Sequence, residues 1–544
     1  MNPTPHLRSA LTAALLSAFA ALPTGWAADS TWSQNSAGTF STPGNWSAGV
    51  PGDASGSASS DVATFIRSTI TASRLVTLDS SRNLAGITLD NDNTSSFAYQ
   101  IGGSSFGGAT TGTLTLSPNA QILVTGSGST NSTHGLDANM VLSGKASIIN
   151  NFSTSIFQFG NSGGTSANTV TTGTGLGAVD LVLGGTSTGS NLMSMRLNQD
   201  TDSTLRLVKE GAGFWQINGK STGTQGLTGG LLVREGSVSI GRNSALSIGT
   251  GTVVLGDNTT PSGDISFTTG SGVTLTNNFT IAASNANNVI IERLGTGGQS
   301  IYQGTITLER DLVLRQRTTG TAQNLNIASG SVLTGTGNVI IDTTLANATG
   351  AVILGGGSFS GAGSINMNGK IINQSSTGAA GLNITGKVLS NVTEIVQNST
   401  TSLMTISHAS NTFGKTTVSA GTISVSGTGV LGTGDVTVAN GATLTLGNVA
   451  GLQDTSTLFF GSTSTINLNF SGTETVNMLA SIGGSYAAPA TYSAAQLNTL
   501  FGGSVFSGTG SLLVLAAIPE PSSFVALAGL GVLALAASRR RARR

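Results

Sequence analysis

Short runs of alternating apolar and polar residues recur along almost the whole chain, and glycine, asparagine or serine interrupts nearly every one. Phe214-Trp215-Gln216-Ile217, Ser237-Val238-Ser239-Ile240 and Thr252-Val253-Val254-Leu255 are typical. Alternation over four or five residues with such boundaries predicts half-buried β-strands. The same pattern marks Gly112–Leu116, Gln121–Val124, Leu181–Leu183, Gly272–Leu275, Thr305–Leu308, Asn324–Ile327, Asn338–Ile341, Ser364–Met367 and Thr443–Leu446. No run of ten or more residues has a helical period, although Gly484 to Leu497 is looser and leaves room for a short helix. Strands this short bury little alone, so each needs a neighbour above and below. The pattern therefore predicts an all-β stack between Val62 and Leu515, closed by a last strand at Gly510–Leu515.

The densest stretch, Leu207 to Leu255, returns later in the chain. Shifted by 185 positions, Gly229, Val233, Gly236, Val238, Ile240 and Leu246 fall on Gly414, Val418, Gly421, Ile423, Val425 and Leu431. The Gly249-Thr250-Gly251 turn reappears as Gly432-Thr433-Gly434, two residues closer to the strand before it. Matched positions of this kind define an internal repeat, with clear copies at 207–255 and 403–446, and a repeat decides the fold class before local propensity does. Trp215 and Val238 are expected in its core.

At these residues the chain resembles the autotransporter-associated β-strand repeat. Lys209-Glu210-Gly211-Ala212-Gly213 with Trp215 and Ile217, then Gly229 through Ile240, carry the resemblance. The second copy keeps Gly414, Thr416, Val418 and Gly421, while Leu403 to Phe413 keeps the alternation without the glycine pair. The resemblance implies rungs of a right-handed parallel β-helix in an exported protein. With 20–29 residues per rung and about 4.8 Å between stacked strands, the array would be roughly 80–110 Å long. A β-sandwich or propeller is the alternative, weakened by the scarcity of Asn-Gly and Asp-Gly hairpin signals.

Composition agrees with an array. Among 544 residues, 77 are glycine and only 8% are charged, against a usual charged share of about a quarter. The 23 basic and 23 acidic residues balance, which argues against nucleic acid as a partner. There is no cysteine, so disulfides, thiolate metal sites and cysteine nucleophiles are excluded together.

The ends read as addresses. Residues 1–27 have the form of a secretory signal peptide: Arg8, an apolar run from Leu11 to Leu22, and small residues around a cleavage point at Ala27. Residues 28–61 follow, with Trp32 and Trp46 beside Pro43-Gly44 and Pro51-Gly52 turns. These rings suit either a platform for sugar rings or, more simply, a cap over the first rung. The array spans 62–515. In 516–544, Pro519-Glu520-Pro521 precedes an apolar segment (523–537), short for a transmembrane helix. Arg539, Arg540, Arg541, Arg543 and Arg544 then hold that end in the cytoplasm by the positive-inside rule. A plain membrane anchor would account for the apolar segment and the arginines. The three parts in this order resemble the PEP-CTERM sorting signal, which implies an exosortase as processing partner and cleavage near Pro519-Glu520-Pro521. It further implies transient anchoring in the inner membrane and delivery to the cell surface or extracellular matrix of a Gram-negative-type bacterium.

Candidate chemistry is sparse. His134 and His408 have no second ligand at metal spacing. Gly427-Thr428-Gly429-Val430-Leu431-Gly432 satisfies G-x-G-x-x-G, but no helix follows to present amides to a pyrophosphate. The arginine-containing stretch Ile290–Arg317 reads as a polyanion patch or, more simply, as the solvated face of two rungs. Asp90-Asn91-Asp92-Asn93, and Asp200-Thr201-Asp202 near Arg206 and Lys209, are the carboxylate groups a polysaccharide lyase or glycosidase would need. No catalytic, cofactor-binding or metal residue emerges from these. The reading is a non-enzymatic, exosortase-sorted β-helix with a structural or adhesive role in biofilm or envelope. Exopolysaccharide or cell-surface glycans are its expected partners, and the alternative is a polysaccharide-active enzyme on the same scaffold.

Overall fold

A computed structural model describes residues 29–516 except for short segments at 55–57, 67–69, 91–96, 127–132, 154, 164–165, 221–222, 296, 318–322, 329, 344–349, 357–363 and 377–380. The signal peptide, the apolar segment 523–537 and the sorting residues of the tail lie outside the described residues.

The strands wind into a parallel β-solenoid of three faces. The rung that opens the repeat shows the plan: Ser203–Lys209 lies on the first face, Phe214–Ile217 on the middle face, and residues 225–227 cross the third. Each strand hydrogen-bonds in parallel to its counterpart one turn away. Trp215, for example, pairs Asn191 on one side and Val238 on the other. Among the described residues, eighteen strands stack on the middle face, from Gly38–Thr39 to Met478–Ser481. At about 4.8 Å per step this face is roughly 80 Å long. Every strand named above from its alternation is present, and Trp215 and Val238 are fully buried. Parallel pairing throughout the stack excludes a sandwich or a propeller of antiparallel blades.

Alternation places one phase of each strand inside, and those side chains form one continuous core from Trp32 to Val514. Rung length is not constant. Thr416 pairs Val436 twenty residues on, whereas Gln100 pairs Gly135 thirty-five residues on, beyond the expected 29. Between Leu197 and Leu275 the third face is carried by turns and by the short helix Ser244–Ser247. The strands Val392–Ile406 and Lys415–Val425 run through a corner and serve two faces each.

The repeat does not keep its face. Val233 pairs Lys209 and Leu255 on the first face, and Val238 pairs Trp215 and Phe267 on the middle one. In the second copy Val418 pairs Gln397 and Val438 on the middle face, while Ile423 pairs Met404 and Leu444 on the third. The conserved unit is thus strand, corner, strand, with Gly236 (φ 72°) and Gly421 (φ 64°) at the corner. Leu431 is fully buried but Leu246 is only half-buried; the buried residue before the first Gly-Thr-Gly turn is Ile248. The two-residue offset in that turn therefore belongs to a different pairing, Ile248 with Leu431.

Both ends are closed. Trp32 and Trp46 point inward and meet edge to face, with ring centres 5.2 Å apart, and Phe65 stacks below them. Their indole N–H groups donate to Gln34 and Phe40 carbonyls. Buried this way, the rings offer no platform to a sugar. At the other end the helix Ala494–Phe501, with a Ser493/Gln496 capping box and left-handed Gly502, packs Phe501 against Phe460 and Phe506. Tyr486 bridges Ala480 antiparallel, and Ala490–Ser493 pairs antiparallel with Ser511–Val514. Exposed strand edges are templates for association; these returns cover the last strands of the middle face and of the end sheet, and the Asn498 side chain bonds the backbone of Phe506 on the third.

Candidate functional site

The charged residues singled out in the sequence are mostly engaged between or within rungs. Arg206 forms a two-pronged pair with Asp180, its register partner one rung earlier, at 2.9 Å. It is not tied to Asp200 or Asp202. Arg234 bridges Glu210 (2.5 Å) and Asp257 (2.7 Å) in the rungs on either side. In the Ile290–Arg317 stretch, Arg315 pairs Asp342 and Arg317 pairs Glu292. Arg310 donates to the carbonyls of Ser284, Ala286 and Asn287. This matches a solvated, internally paired face rather than a set of cations held ready for a polyanion.

Lys209 and Arg293 are different, because both are completely buried. Each occupies the last inward position of its strand and turns its charge onto the carbonyls of the following corner. Lys209 Nζ donates to Glu210 O and Glu235 O at 3.0 Å, and to Gly211 O. Burial pulls its pKa down to about 7, against the opposing pull of Glu235 and Glu210. Arg293 donates to Gly295 O at 3.0 Å and to the carbonyls of Gly297 and Gly298; burial lowers its pKa. The position recurs as Thr269, Arg293 and Gln316 in successive registered rungs; further on, polar residues take the inward position two residues earlier, where Asn373 and Gln397 stand in register with Leu314 and Ile341. Gln316 donates to Gln323 O, and Gln397 to Ser402 O and Thr422 O. Asn277 and Asn411 serve other corners in the same way. A corner carbonyl buried without a donor is costly, so this polar lining is what lets the backbone turn around an apolar core. The lysine of the repeat motif is accordingly a structural residue.

Two further groups were not anticipated. Glu474 is fully buried, and its carboxyl accepts the amides of Gly451 (3.0 Å) and Leu452 (3.2 Å) in the preceding rung. Burial pushes its pKa up to about 8, the two amides opposing. Asp137 is likewise buried, with Ser166 and Asn168 donating to it; burial raises its pKa. A lone acid at the inward phase of an alternating strand is the signal that could have found Glu474.

The remaining sequence candidates resolve as framework. His134 is buried and accepts the Tyr99 amide. His408 sits before a turn, accepts the Ser410 amide, and has its pKa lowered by burial and by Lys387. Gly427 lies in a turn, and a Cβ on Gly429 or Gly432 would stand 2.4 Å or 2.2 Å from the carbonyl of the rung below. The strand Val436–Val438, not a helix, follows. Asp90 ends a strand, and Asn91, Asp92 and Asn93 lie outside the described residues. Among the described residues no three His, Asp or Glu side chains are grouped to hold a metal ion, and no helix is long and apolar enough to cross a membrane. A groove of about 380 Å³, with Asn287, Asn288, Glu309 and Asp311 beside Val289, Val313 and Ile340, lies between their rungs. Its carboxylates already accept the amides of Ala283 and Asn338.

A family model, the PEP-CTERM protein-sorting motif, matches the chain over residues 517–541. It covers Pro519, Glu520, Pro521 and the first three of the terminal arginines, Arg539, Arg540 and Arg541. The motif implies export, a membrane-anchored sorting signal at the C-terminus, and processing by an exosortase. No curated protein matches the chain. No solved structure matches it either.

Proposed function

We propose that this is a non-enzymatic protein of the cell surface or extracellular polysaccharide matrix, in which the solenoid serves as a structural or adhesive rod in biofilm or cell envelope. The observation that carries the reading is the order of parts: a closed, fully stacked rod of roughly 80 Å leads directly into the sorting motif at 517–541. The resemblance of 207–255 and 403–446 to autotransporter-associated repeats supports surface display. Long ladders of outward Thr, Ser and Asn, such as Asn383, Thr405, Ser424 and Thr445 on the third face, suit hydrogen bonding to hydroxylated polymers. The ion pairs and corner contacts leave few cations or carboxylates arranged for chemistry.

The test is to express the tagged chain in a host with an exosortase, with and without Glu520→Ala, and follow it into membrane, surface and matrix fractions. Parent protein in the washed matrix or at the surface, with the variant held in the membrane fraction, is the expected result. Parent protein found free in the medium, retained by neither cells nor polysaccharide, overturns the matrix role. New reducing ends or unsaturated products after incubation with anionic polysaccharides would favour the lyase or glycosidase instead.

A further inference from the structure

The end of the rod from which the tail departs has a surface unlike its sides. From Thr455 to Ala516 the sequence contains a single Asp, Glu, Lys, Arg or His, namely Glu474, and that residue is buried. In the same stretch Ile482, Tyr486, Leu500 and Leu515 are exposed by 55, 48, 47 and 50%. Ile482 follows the last middle-face strand, and with Phe501 and Val505 it lines an open groove of about 370 Å³. The returns at Tyr486 and Ala490–Ser493 cover the last strands of the middle face and of the end sheet, and the Asn498 side chain bonds the backbone of Phe506 on the third, so another rung or the end of a second copy has little backbone to pair with.

The chain leaves from this end, where the amides of Leu515 and Ala516 still bond to Val476 O and Asn477 O. Six residues separate Ala516 from the apolar segment at 523–537, a reach of at most about 25 Å even fully extended. An uncharged end with half-exposed Ile, Leu and Tyr side chains is thereby tethered within one headgroup layer or so of a bilayer.

We propose that, while the tail is in place, this end of the rod docks on the membrane interface, with Ile482, Tyr486, Leu500 and Leu515 entering the headgroup region. The proposal rests on the tail being a bilayer segment, as in the reading above. Apolar side chains and an amphipathic tyrosine favour that depth. With no Lys or Arg at this end, docking does not depend on anionic lipid or low salt. The rod then stands on the membrane, and Pro519-Glu520-Pro521 is kept beside it.

The absence of cysteine allows single labels on the full chain. Ser485→Cys reports on the tail end and Ser36→Cys, also exposed, on the opposite end. The chain is reconstituted in phosphatidylcholine vesicles containing a lipid with a nitroxide high on its acyl chain. We expect the Ser485 label to lose most of its fluorescence at low and high salt alike and the Ser36 label to lose none. Ile482→Ser with Leu500→Ser should restore the signal while leaving the unfolding midpoint unchanged. Vesicle-bound protein with both labels unquenched, or quenching indifferent to the double substitution, overturns the docking alone. Failure to float with vesicles at all overturns the tail reading, and the docking with it. Energy transfer between Ser485 labels without lipid quenching assigns the surface to a second copy and overturns the proposal.

Discussion

Val233 and Val418 hold the same place in the internal repeat, yet one stands on the first face of the solenoid and the other on the middle face. The repeated object is therefore a corner with its two flanking strands, and a three-cornered solenoid can accept it at any corner. Sequence repetition and structural rotation are independent here, because each corner asks for the same things: an inward apolar phase on both sides, a left-handed residue between, and donors for the turning carbonyls.

The corner glycines test this equivalence. Gly236 and Gly421 have φ of 72° and 64°, and a Cβ would lie 2.5 Å from Gly211 O in one and 1.9 Å from Ser399 O in the other. Left-handed backbone and a backbone clash together predict that Gly236→Ala and Gly421→Ala each lose about 2 kcal/mol or more. Gly44→Ala, which meets no atom within 4 Å, serves as the control and should change little. Urea unfolding followed by far-UV circular dichroism measures all three. Similar losses at the two corners are expected; a near-neutral result at either would break the equivalence.

Trp215 is the largest side chain of the best-preserved rung. It is fully buried, its indole N–H donates to Gly184 O at 3.1 Å, and Phe157 lies 6.5 Å from it, edge to face. Trp215→Ala should cost about 3–5 kcal/mol. Because each rung contacts only its neighbours, the loss should appear first as faster hydrogen exchange in Asn191–Met193 and Gly236–Ile240, its partners in the stack. Uniform loss of protection from one end to the other would instead mean that the rod unfolds as a single unit.

Exposed and buried cations should behave oppositely. Arg234 is about a quarter exposed and bridges Glu210 and Asp257 in partly wet surroundings, so Arg234→Ala should cost about 1 kcal/mol or less, and less still at high salt. Arg293 holds three corner carbonyls out of water. Arg293→Met leaves them without that donor and should cost roughly 2–4 kcal/mol, with little dependence on salt. Thermal unfolding at low and high sodium chloride separates the two. A salt-sensitive Arg293 variant would contradict its placement inside.

The strands were legible because alternation and boundary glycines are local signals, and the repeat pointed to stacking before any contact was known. What a single sequence concealed is the third dimension of the stack. Rungs of twenty residues at Thr416 and thirty-five at Gln100 hide which residues meet one turn away. Arg206 and Lys209 looked like companions of Asp200 and Asp202, although Arg206 reaches back 26 residues to Asp180 and Lys209 turns inward. Polar residues such as Lys209, Arg293 and Glu474 resemble solvated strand ends until their phase in the alternation is compared with the core. The sorting motif was legible for another reason: its order of proline-flanked acid, apolar run and arginines is written along the chain and needs no fold to bring it together.

Stability should pass through a minimum near neutral to mildly alkaline pH, because two buried groups act in opposite directions. In the folded chain Glu474 keeps its proton up to about pH 8, while unfolded it releases it near its ordinary 4.5. Between those values the folded state binds the extra proton, so rising pH weakens folding by up to about 1.4 kcal/mol per unit. That contribution is complete below the lower value and lost above the higher. Lys209 runs the other way: folded, it releases its proton near pH 7; unfolded, near 10.5. Across that window the unfolded chain binds more protons, and stability recovers as pH rises. Urea midpoints at about pH 5, 7.5 and 9.5 should therefore fall and then rise. Glu474→Gln combined with Asp137→Asn, whose raised pKa acts in the same direction, should flatten the acid side alone, and Lys209→Met the alkaline side alone while lowering stability throughout. A parent profile without the minimum, or a profile of the Glu474→Gln, Asp137→Asn double variant that still falls between pH 5 and 7.5, would refute the placement of these buried groups as the pH-sensitive points of the rod.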